Sequence, residues 1–403
     1  MPAGPAPAPA PAPAPSPDAP ARAFPAHASY TAGVIKPSHV TQAAMDQAVQ
    51  AHYAAWKGAY IRTTGGQGSW VKYDATNSTV SEAHGWGMVI AAYMGDRALF
   101  DDMLRYAQAH PSANAPHLMA WKQTLSGGVM KSVEGVDSAT DGSMDVAYAL
   151  LLAHAQWGSA GAYDYKAEAL QVTREILAHE VNATAGNLMP GDWAQGSDRV
   201  HTRPSDFMTS HLLAFARADT VNAAKWTAVY DTVSAIVNHQ YANGSAATGL
   251  VPDFMVQSGA AFVPVPGTYL ESLHDGDFSY NACRTPWRLA MSHIVDGRTD
   301  LLASQRQTAT WIAASAKGVP RNIRAGYYVR NGTNGKAFAD WDDLAFTAPM
   351  AVNAMLGGPS SQEWLNSLWT SITGGDYGPT VDYYGDTIRM QVLLTVSGNW
   401  WAP

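Results

Sequence analysis

Apolar residues recur at the spacing of an α-helix through almost the whole chain after about residue 38. Capping residues, glycines and prolines divide this pattern into about twelve segments. The segments predicted as helices are 38–58, 80–94, 97–109, 143–157, 163–180, 205–218, 221–239, 281–296, 299–315, 341–356, 361–372 and 383–397. A chain with so many helical segments and few strand-like runs is predicted to have an all-α fold.

The predicted helices alternate in character along the chain. Residues 145–157 are apolar nearly all round, which is typical of a helix buried on every side. Residues 163–180 instead carry charges on one face, which is typical of an outer helix. Six buried helices alternating with six amphipathic ones predict an (α/α)6 barrel. Strand-like runs at 249–265 and 326–330 predict small β-hairpins in the loops.

Residues 2–21 are nearly all proline and alanine. This composition favours extended polyproline II and cannot build a hydrophobic core. We therefore predict a disordered linker or tail over residues 1–37, followed by one globular domain over residues 38–403 that is large enough to be a catalytic domain. The N-terminal residues contain neither a basic segment nor an apolar segment of a signal peptide. A Pro/Ala-rich linker is typical of exported modular enzymes, so we expect a secreted protein whose signal peptide has been removed.

Composition narrows the possible partners. Hydrophobic residues make up 47% of the chain and charged residues only 14%, with a net charge of −8. An acidic chain lacks the basic stripe of a nucleic-acid-binding protein, and no apolar run is long enough to span a membrane. Tryptophan (14) and tyrosine (18) outnumber phenylalanine (9), which suits stacking on a ligand as well as packing. We expect a monomer.

Polar and aromatic residues collect where the predicted buried helices begin. In a barrel of alternating helices these starts lie at one end, so the side chains should line one cleft. Each acidic or amide member alone is most often an N-cap, which is the structural alternative. The members are Glu82, Asp141, Asp206, Asn281, Arg284, Trp341, Asp342, Asp343, Tyr383, Tyr384 and Asp386.

Glu82 stands out because it opens a helix that is otherwise almost uncharged, within Ser-Glu-Ala-His-Gly-Trp-Gly-Met. A glutamate in the first turn gains about 0.3–1 kcal/mol from the helix dipole, so a structural role is one interpretation. The other is a carboxyl group kept for proton transfer in an apolar pocket.

Three strings in order resemble glycoside hydrolase family 8. They begin at Ser81, at Ser138 (Ser-Ala-Thr-Asp-Gly-Ser-Met-Asp-Val-Ala-Tyr-Ala-Leu-Leu-Leu-Ala) and at Tyr280 (Tyr-Asn-Ala-Cys-Arg-Thr-Pro-Trp-Arg). The resemblance covers nearly everything after about residue 38. It implies an (α/α)6 barrel and an inverting endo-glycosidase acting on cellulose, lichenan, xylan or chitosan.

The resemblance also implies roles for single residues. Glu82 matches the general acid of the family, and Asp141 matches the carboxylate that binds and distorts the sugar at the cleavage point. Tyr280 and Arg284 match residues that flank the general base in the family's cellulases. Asn281 departs from the pattern, because those cellulases carry Asp there as the base and an amide cannot take a proton from water. Ser143 is a second departure, since the signature usually has Asp at that position.

Inverting hydrolysis needs a second carboxylate about 6.5–9.5 Å from the acid. One branch of the family has Asn at the barrel position and a Glu in a longer loop before that helix. The loop over residues 250–280 contains one glutamate, Glu271, which we predict as the base. A solvated loop glutamate is the structural alternative. Asp253, Asp275 and Asp277 are the other candidates in the loop.

That branch includes chitosanases and β-1,4- or mixed-linkage glucanases. Asp206 stands where the family's cellulases tend to carry Tyr, and a carboxylate there would suit the ammonium group of glucosamine. An N-cap is the alternative for Asp206. Trp193 and Trp121 fall in loops where the family has stacking aromatics, although Trp121 also fits a core position. Together with Trp341 and Tyr384 they are predicted to bind the polysaccharide.

The sequence therefore predicts an endo-chitosanase, possibly with β-1,4-glucanase activity. The alternatives are a cellulase or lichenase acting on β-glucan, a non-catalytic glycan-binding homologue, and a polysaccharide lyase on the same barrel. A lyase would need a Tyr/His or Arg cluster rather than a pair of glutamates. No metal-ligand spacing is present, so neither a metal nor another cofactor is expected. Cys283, the only cysteine, is predicted to lie in the core.

Overall fold

The helices of the computed structural model follow the predicted segments closely. The structure describes residues 20–22, 24–330 and 334–403. Its α-helices are α1 (Gln42–Tyr60), α2 (Ser81–Met94), α3 (Arg97–Ala109), α4 (Thr140–Trp157), α5 (Tyr165–Glu175), α6 (Thr209–Ala218), α7 (Ala223–Asn243), α8 (Thr285–Arg288), α9 (Met291–Asp296), α10 (Leu302–Ser315), α11 (Leu344–Ala354), α12 (Gln362–Thr370) and α13 (Tyr383–Val396). The predominantly helical fold predicted from the sequence is confirmed.

Two classes of helix differ in burial as the pattern of apolar positions predicts. Every residue of α2 except Glu82 and Met94 is buried, and α11 is buried throughout. By contrast, α5 buries only Tyr165, Ala169, Val172 and Thr173, which share one face of the helix. The apolar helices thus form the interior and the amphipathic helices cover them.

The buried helices contact one another in a closed series. The order of contact is α2, α4, α6, α9 with α8, α11 and α13, and α13 returns to α2. Each amphipathic helix packs on a buried one: α1 on α13, α3 on α2, α5 on α4, α7 on α6, and both α10 and α12 on α11. Within the residues that the structure describes, no helix has the length and apolar character needed to cross a bilayer.

The predicted helix 281–296 is not continuous. A 3₁₀ turn over Ala282–Arg284 leads into α8, and residues 289–290 form a turn before α9. Pro286 lies in this stretch and lacks the N–H that a regular helix requires. The break shortens the helix next to Asn281 and Arg284, so these residues lie in a tight turn at the start of α8.

Short strands occupy the loops. They are β1 (Ile61–Thr64), β2 (Gly68–Val71), β3 (Ser78–Val80), β4 (Lys122–Ser126), β5 (Val129–Ser132), β6 (His201–Thr202), β7 (Met255–Ser258) and β8 (Ala261–Pro264). All pair antiparallel, in the orders β1-β2, β3-β4-β5 and β6-β7-β8. The hairpin predicted within 249–265 is present as β7 and β8. At 326–330 only isolated bridges through Tyr327 form among the described residues.

The predicted linker or tail over residues 1–37 falls largely outside the described residues, since residues 1–19 and 23 are not among them. Residues 24–37 pack on the helical domain. The backbone N–H groups of Ala28 and Ile35 donate to the carbonyls of Gly398 and Met355, and Asn399 Oδ1 accepts from Ala26. The predicted domain boundary at residue 38 is therefore too late, because these backbone groups are bonded to the ends of inner helices.

Candidate active site

The first turns of the buried helices meet at one end of the molecule, as their sequence pattern predicts. Glu82 and Asp141 are the second residues of α2 and α4, and Arg284 directly precedes α8. A cavity of about 370 Å³ opens at this end. Among the described residues, its lining consists of Glu82, Glu271, Tyr280, Asn281, Asp343, Asp382 and Tyr384.

Glu82 faces the cavity from a mostly buried position. Its carboxylate accepts a hydrogen bond from Tyr383 Oη at 3.2 Å and forms a close ion pair with Arg284. Burial raises the pKa of Glu82 to about 7, against the opposing effect of Arg284, and the nearby carboxylate of Asp141 adds to the rise. At neutral pH a substantial fraction of Glu82 therefore carries a proton.

Asp141 is a buried carboxylate whose main partners are two arginines. The N-cap position of α4 is Ala139, and the Asp141 carboxylate instead lies 3.0 Å from both Arg284 Nη1 and Arg203 Nη2. Burial alone would raise the pKa of Asp141, but Arg203 and Arg284 outweigh it and hold the pKa well below its usual range. Asp141 is therefore not the N-cap residue of α4, although its Oδ1 accepts the N–H of Gly142 in the first turn at 2.9 Å.

Arg284 connects the charged groups of the site. Its guanidinium is almost completely buried and bonds to Glu82 and Asp141 through Nη1. Nη2 donates to Ser205 Oγ and to Asn281 Oδ1, both at 2.8 Å. A planar guanidinium with several fixed donors can hold two carboxylates and an amide in one arrangement.

Asn281 links this network to the loop glutamate. Its Oδ1 accepts from Arg284, and its Nδ2 donates to Glu271 Oε2 at 2.9 Å. The Asn281 amide and the Arg284 guanidinium thus connect Glu271 to Glu82, and both glutamates line the same cavity. An aspartate in place of Asn281 would set a like charge against Glu271, which explains why an amide suits this position.

The other loop acids have structural partners. Asp253 accepts the backbone N–H groups of Ser279 and Ala282, and Asp275 accepts four backbone N–H groups of the preceding turn. Asp277 contacts His274 and the Val329 N–H. All three side chains are buried, and burial raises the pKa of Asp253 to about 8. None of the three lines the cavity.

Asp206 does not face the cleft as predicted. It is fully buried in a 3₁₀ turn (Pro204–Asp206), and its Oδ1 accepts from Arg203 Nε at 2.9 Å. Burial raises the pKa of Asp206 to about 7, although Arg203 opposes the shift. The structure therefore removes the basis for predicting an ammonium contact at Asp206, because a glucosamine unit cannot reach it in this arrangement. The N-cap alternative is also wrong, since Met208 occupies the N-cap position of α6.

Aromatic side chains surround the cavity. Tyr280 (39% exposed) and Trp341 (53% exposed) lie at its rim, with Trp341 Nε1 3.5 Å from the Tyr280 hydroxyl. Tyr384 lies inside, tilted against Trp86 with ring centroids 5.6 Å apart. Exposed tyrosine and tryptophan faces suit stacking on sugar rings. Their role in substrate binding stays a prediction.

Trp121 and Trp193 are half-buried beside the starts of the helices rather than in the cavity lining. The carbonyl of Trp121 accepts the N–H of Ser81, next to Glu82, and its indole N–H donates to Glu134. Trp193 follows Asp192, which accepts from Ser112 Oγ. Both remain candidates for more distant sugar contacts.

Sequence reasoning missed one residue of this site and one contact. Arg203, which holds Asp141 and Asp206, does not stand out in the sequence, and the sequence pattern places Tyr383 among the cleft residues without its bond to Glu82. The spacing of Arg203 and Asp206 is the signal that could have revealed one pair, since residues three apart in a helical turn lie side by side.

Glu180 is a further buried acid that the sequence did not single out. It ends a π-helical turn after α5, and its Oε1 accepts from Ser138 Oγ at 2.6 Å and Ser143 Oγ at 2.9 Å. Oε2 has no hydrogen-bond partner among the described residues. Burial raises the pKa of Glu180 to about 8, against the opposing effect of the two serine hydroxyls. Ser143, the departure from the usual signature, thus contacts a carboxyl group supplied by another helix.

We expect Glu180→Gln to flatten the dependence of stability on pH. Between about pH 5 and 8 the unfolded chain loses the Glu180 proton while the folded chain keeps it. Because of this group, the free energy of unfolding of the wild type should fall by about 1.4 kcal/mol for each pH unit in this range. Glutamine does not titrate, so the variant should not show this fall. Urea unfolding of both proteins at several pH values measures the slopes, with the exposed Glu363→Gln as control. Equal slopes for wild type and Glu180→Gln would show that Glu180 is ionised in the folded protein.

The arrangement can perform acid-base chemistry on a bond placed between the two glutamates. Glu82 has a pKa near neutrality and can hold a proton for a leaving group. Glu271 shares the cavity and can accept a proton from water. A protonated acid and a second carboxylate in one open cleft are what glycosidic hydrolysis requires.

Comparison with protein families identifies relatives along nearly the whole chain. The sequence profile of the glycosyl hydrolases family 8 matches residues 23–397. A β-glucanase of Niallia circulans is 43% identical over 390 residues, covering 95% of this chain and 92% of the relative. An endoglucanase of Bacillus sp. (strain KSM-330) is 33% identical, covering 94% and 82% of the two chains.

Solved structures are also similar to this chain along most of its length. A β-1,3-1,4-glucanase from Paenibacillus sp. X4 superposes with a TM-score of 0.91 at 41% identity, covering 96% of this chain and all of the other. A cold-adapted family 8 xylanase superposes with a TM-score of 0.73 at 20% identity, which shows a shared fold alone.

Proposed function

Because the chain belongs to the glycosyl hydrolases family 8, we propose that it is an inverting endo-β-glucanase with Glu82 as general acid and Glu271 as general base. The observation that carries this proposal is the shared cavity, in which Arg284 and Asn281 hold the two glutamates in one bonded network. A non-catalytic glycan-binding protein has no need for a second glutamate held in this way. The closed series of contacts among the buried helices supports an (α/α)6 barrel as the architecture around this cavity.

In the proposed reaction, Glu82 gives its proton to the glycosidic oxygen as the bond breaks. The raised pKa of Glu82 makes this transfer possible at neutral pH. Glu271 takes a proton from a water molecule that attacks the sugar from the opposite face. Asp141 stays charged throughout because two arginines hold it, so it can stabilise the positive charge that develops on the sugar ring.

The substrate we propose is β-glucan with β-1,4 or mixed β-1,3-1,4 linkages. The names of the relatives support glucan, and the burial of Asp206 removes the residue on which the chitosan prediction rests. Chitosan is therefore no longer the leading candidate. Intact polymeric glucan cannot pass a membrane, so we propose that the enzyme acts outside the cell.

We expect kcat/KM to be at least about tenfold higher on barley mixed-linkage β-glucan than on partly deacetylated chitosan, a difference of about 1.4 kcal/mol. Reducing-sugar release from both polymers, over a range of ionic strength, measures this ratio. The Glu82→Gln protein serves as the blank for contaminating activity. Equal rates on the two polymers, or a chitosan rate that rises as salt is lowered and exceeds the glucan rate, would return the assignment to chitosan.

A further inference from the structure

The turn that carries Glu271 is wrapped around one buried carboxylate. Asp275 Oδ2 accepts the backbone N–H groups of Tyr269, Leu270 and Glu271 at 2.7, 2.8 and 3.0 Å. Asp275 Oδ1 accepts the N–H of Ser272 at 2.8 Å. Hydrogen bonds to an ionised acceptor are about twice as strong as neutral ones. Four consecutive backbone groups thus have a common anchor.

This turn has little other support. Residues 269–272 belong to no helix or strand, and Leu270 and Leu273 are 46% and 76% exposed. An exposed loop of this kind is ordinarily mobile unless its backbone groups are bonded. Besides the Asp275 carboxylate, Tyr269 contacts Asp198, His201 and Phe254. Glu271 bonds to Asn281, and Ser272 accepts the N–H groups of His274 and Asp275.

Asp275 itself is fixed to the β7–β8 hairpin. Its carbonyl accepts the N–H of Phe254 at 2.7 Å, one residue before β7. The next residue, Gly276, lies so close to the hairpin that a Cβ there would come within 2.1 Å of the Val265 carbonyl oxygen. Only glycine fits at this contact, so the anchor is packed tightly against the hairpin.

We propose that Asp275 is the positioning residue of the general base: it fixes the backbone of the turn so that Glu271 points at Asn281 and into the cavity. Asp275 does not touch the reacting atoms and acts through Glu271. The proposal rests on the proposed function, in which Glu271 activates water. A displacement of about 1 Å in a catalytic group can lower the rate by about 10²-fold, so loss of the anchor should be visible in kcat.

Asp275→Asn should lower kcat on β-glucan by about 10²-fold and change KM by less than about threefold. An amide offers one accepting oxygen and places an NH₂ group against backbone donors, so part of the anchor is lost. Asp96→Asn is the matched control. Asp96 also caps backbone, at the N–H of Leu99, but it lies beyond the opposite end of α2 from Glu82. The Asp96→Asn variant should have lower thermal stability than the wild type and an unchanged kcat. A normal kcat in folded Asp275→Asn would overturn the proposal.

A double-mutant cycle separates positioning from general loss of structure. Rates of Glu271→Ala, with and without added formate as a substitute base, are compared with those of Glu271→Ala/Asp275→Asn. If Asp275 acts through Glu271, the second change lowers the rate by less than about twofold. A further 10²-fold loss means that Asp275 acts independently, and the proposal is wrong. A wild-type rate in Glu271→Ala would instead refute the general base, and with it the proposed function.

Amide hydrogen exchange tests the anchor in the unaltered protein, whether or not a variant folds. The N–H groups of residues 269–272 should exchange at least about tenfold more slowly than those of the exposed turn at Gly127 and Gly128, because their hydrogen bonds to the Asp275 carboxylate protect them. Equal rates in the two turns would show that the carboxylate does not hold the loop, and would overturn the proposal.

Discussion

Glu82→Gln is expected to lower kcat on β-glucan by about 10³-fold with little change in substrate binding. General acid catalysis contributes about 10²–10⁴-fold to an enzymatic rate, and an amide has no proton to give to the leaving oxygen. The Gln oxygen can still accept from Arg284, and its NH₂ group can donate to the Tyr383 hydroxyl oxygen, so the network around it should largely keep its shape. Initial rates and isothermal titration with a non-hydrolysed β-glucan oligosaccharide measure the two effects separately.

The pH dependence gives an independent check on this assignment. The pKa of Glu82 is raised to about 7, and only the protonated form can donate. The wild-type rate should therefore fall as the pH rises above about 7, while the residual rate of Glu82→Gln should lack that fall. Turnover of the variant within about threefold of wild type would remove Glu82 from the mechanism.

Glu271→Gln is expected to abolish hydrolysis to the same extent, about 10³-fold or more. The attacking water needs a proton acceptor, and the amide at residue 281 has no useful basicity. Gln keeps an oxygen that can accept from Asn281 Nδ2, so the loop should stay in place. Thermal unfolding checks that the variant is folded, and initial rates on β-glucan measure the loss.

Asn281→Asp gives the matched control for the base. The new carboxylate would face Glu271 without the present amide contact and would bring like charges together, so we expect lower activity in this single variant. In the Glu271→Gln background, the Asn281→Asp substitution should restore only a small part of the rate, because the water would be held from another direction. Full activity of Glu271→Gln alone would show that another group takes the proton.

The positions of Glu82, Asp141 and Tyr383 could be predicted from the sequence because each lies at the start of an apolar helix. The spacing of apolar residues and the capping residues locate such starts to within a few residues. The alternation of buried and amphipathic helices then predicts that the starts of the buried helices lie at one end of the barrel. The observed starts of α2, α4 and α13 confirm this, at Ser81, Thr140 and Tyr383.

Asp206 shows what the sequence could not supply. Its neighbours in the chain suggest either an N-cap or an exposed substrate contact, and both depend on whether the side chain points out of the fold. The structure buries it against Arg203 in a 3₁₀ turn, and that outcome depends on tertiary packing around the two arginines. Local composition contains no direct information about burial of a polar residue in a turn.

Glu271 and Asp275 illustrate a second limit. The sequence located Glu271 because it is the single glutamate of its loop, but it left Asp275 as an alternative base. Loop conformation is set by backbone hydrogen bonds to distant groups, and an aspartate that accepts four N–H groups looks the same in the sequence as one that faces solvent.

The anomeric configuration of the first product tests the central proposal, an inverting pair of Glu82 and Glu271, most directly. Proton NMR during the first minutes of β-glucan hydrolysis distinguishes the two anomers at the new reducing end before they interconvert. Attack of water on the face opposite a β-linkage gives the α-anomer first, and this is the result that we predict. Initial release of the β-anomer would mean retention of configuration, which a base acting through water cannot produce, and would contradict the proposed mechanism.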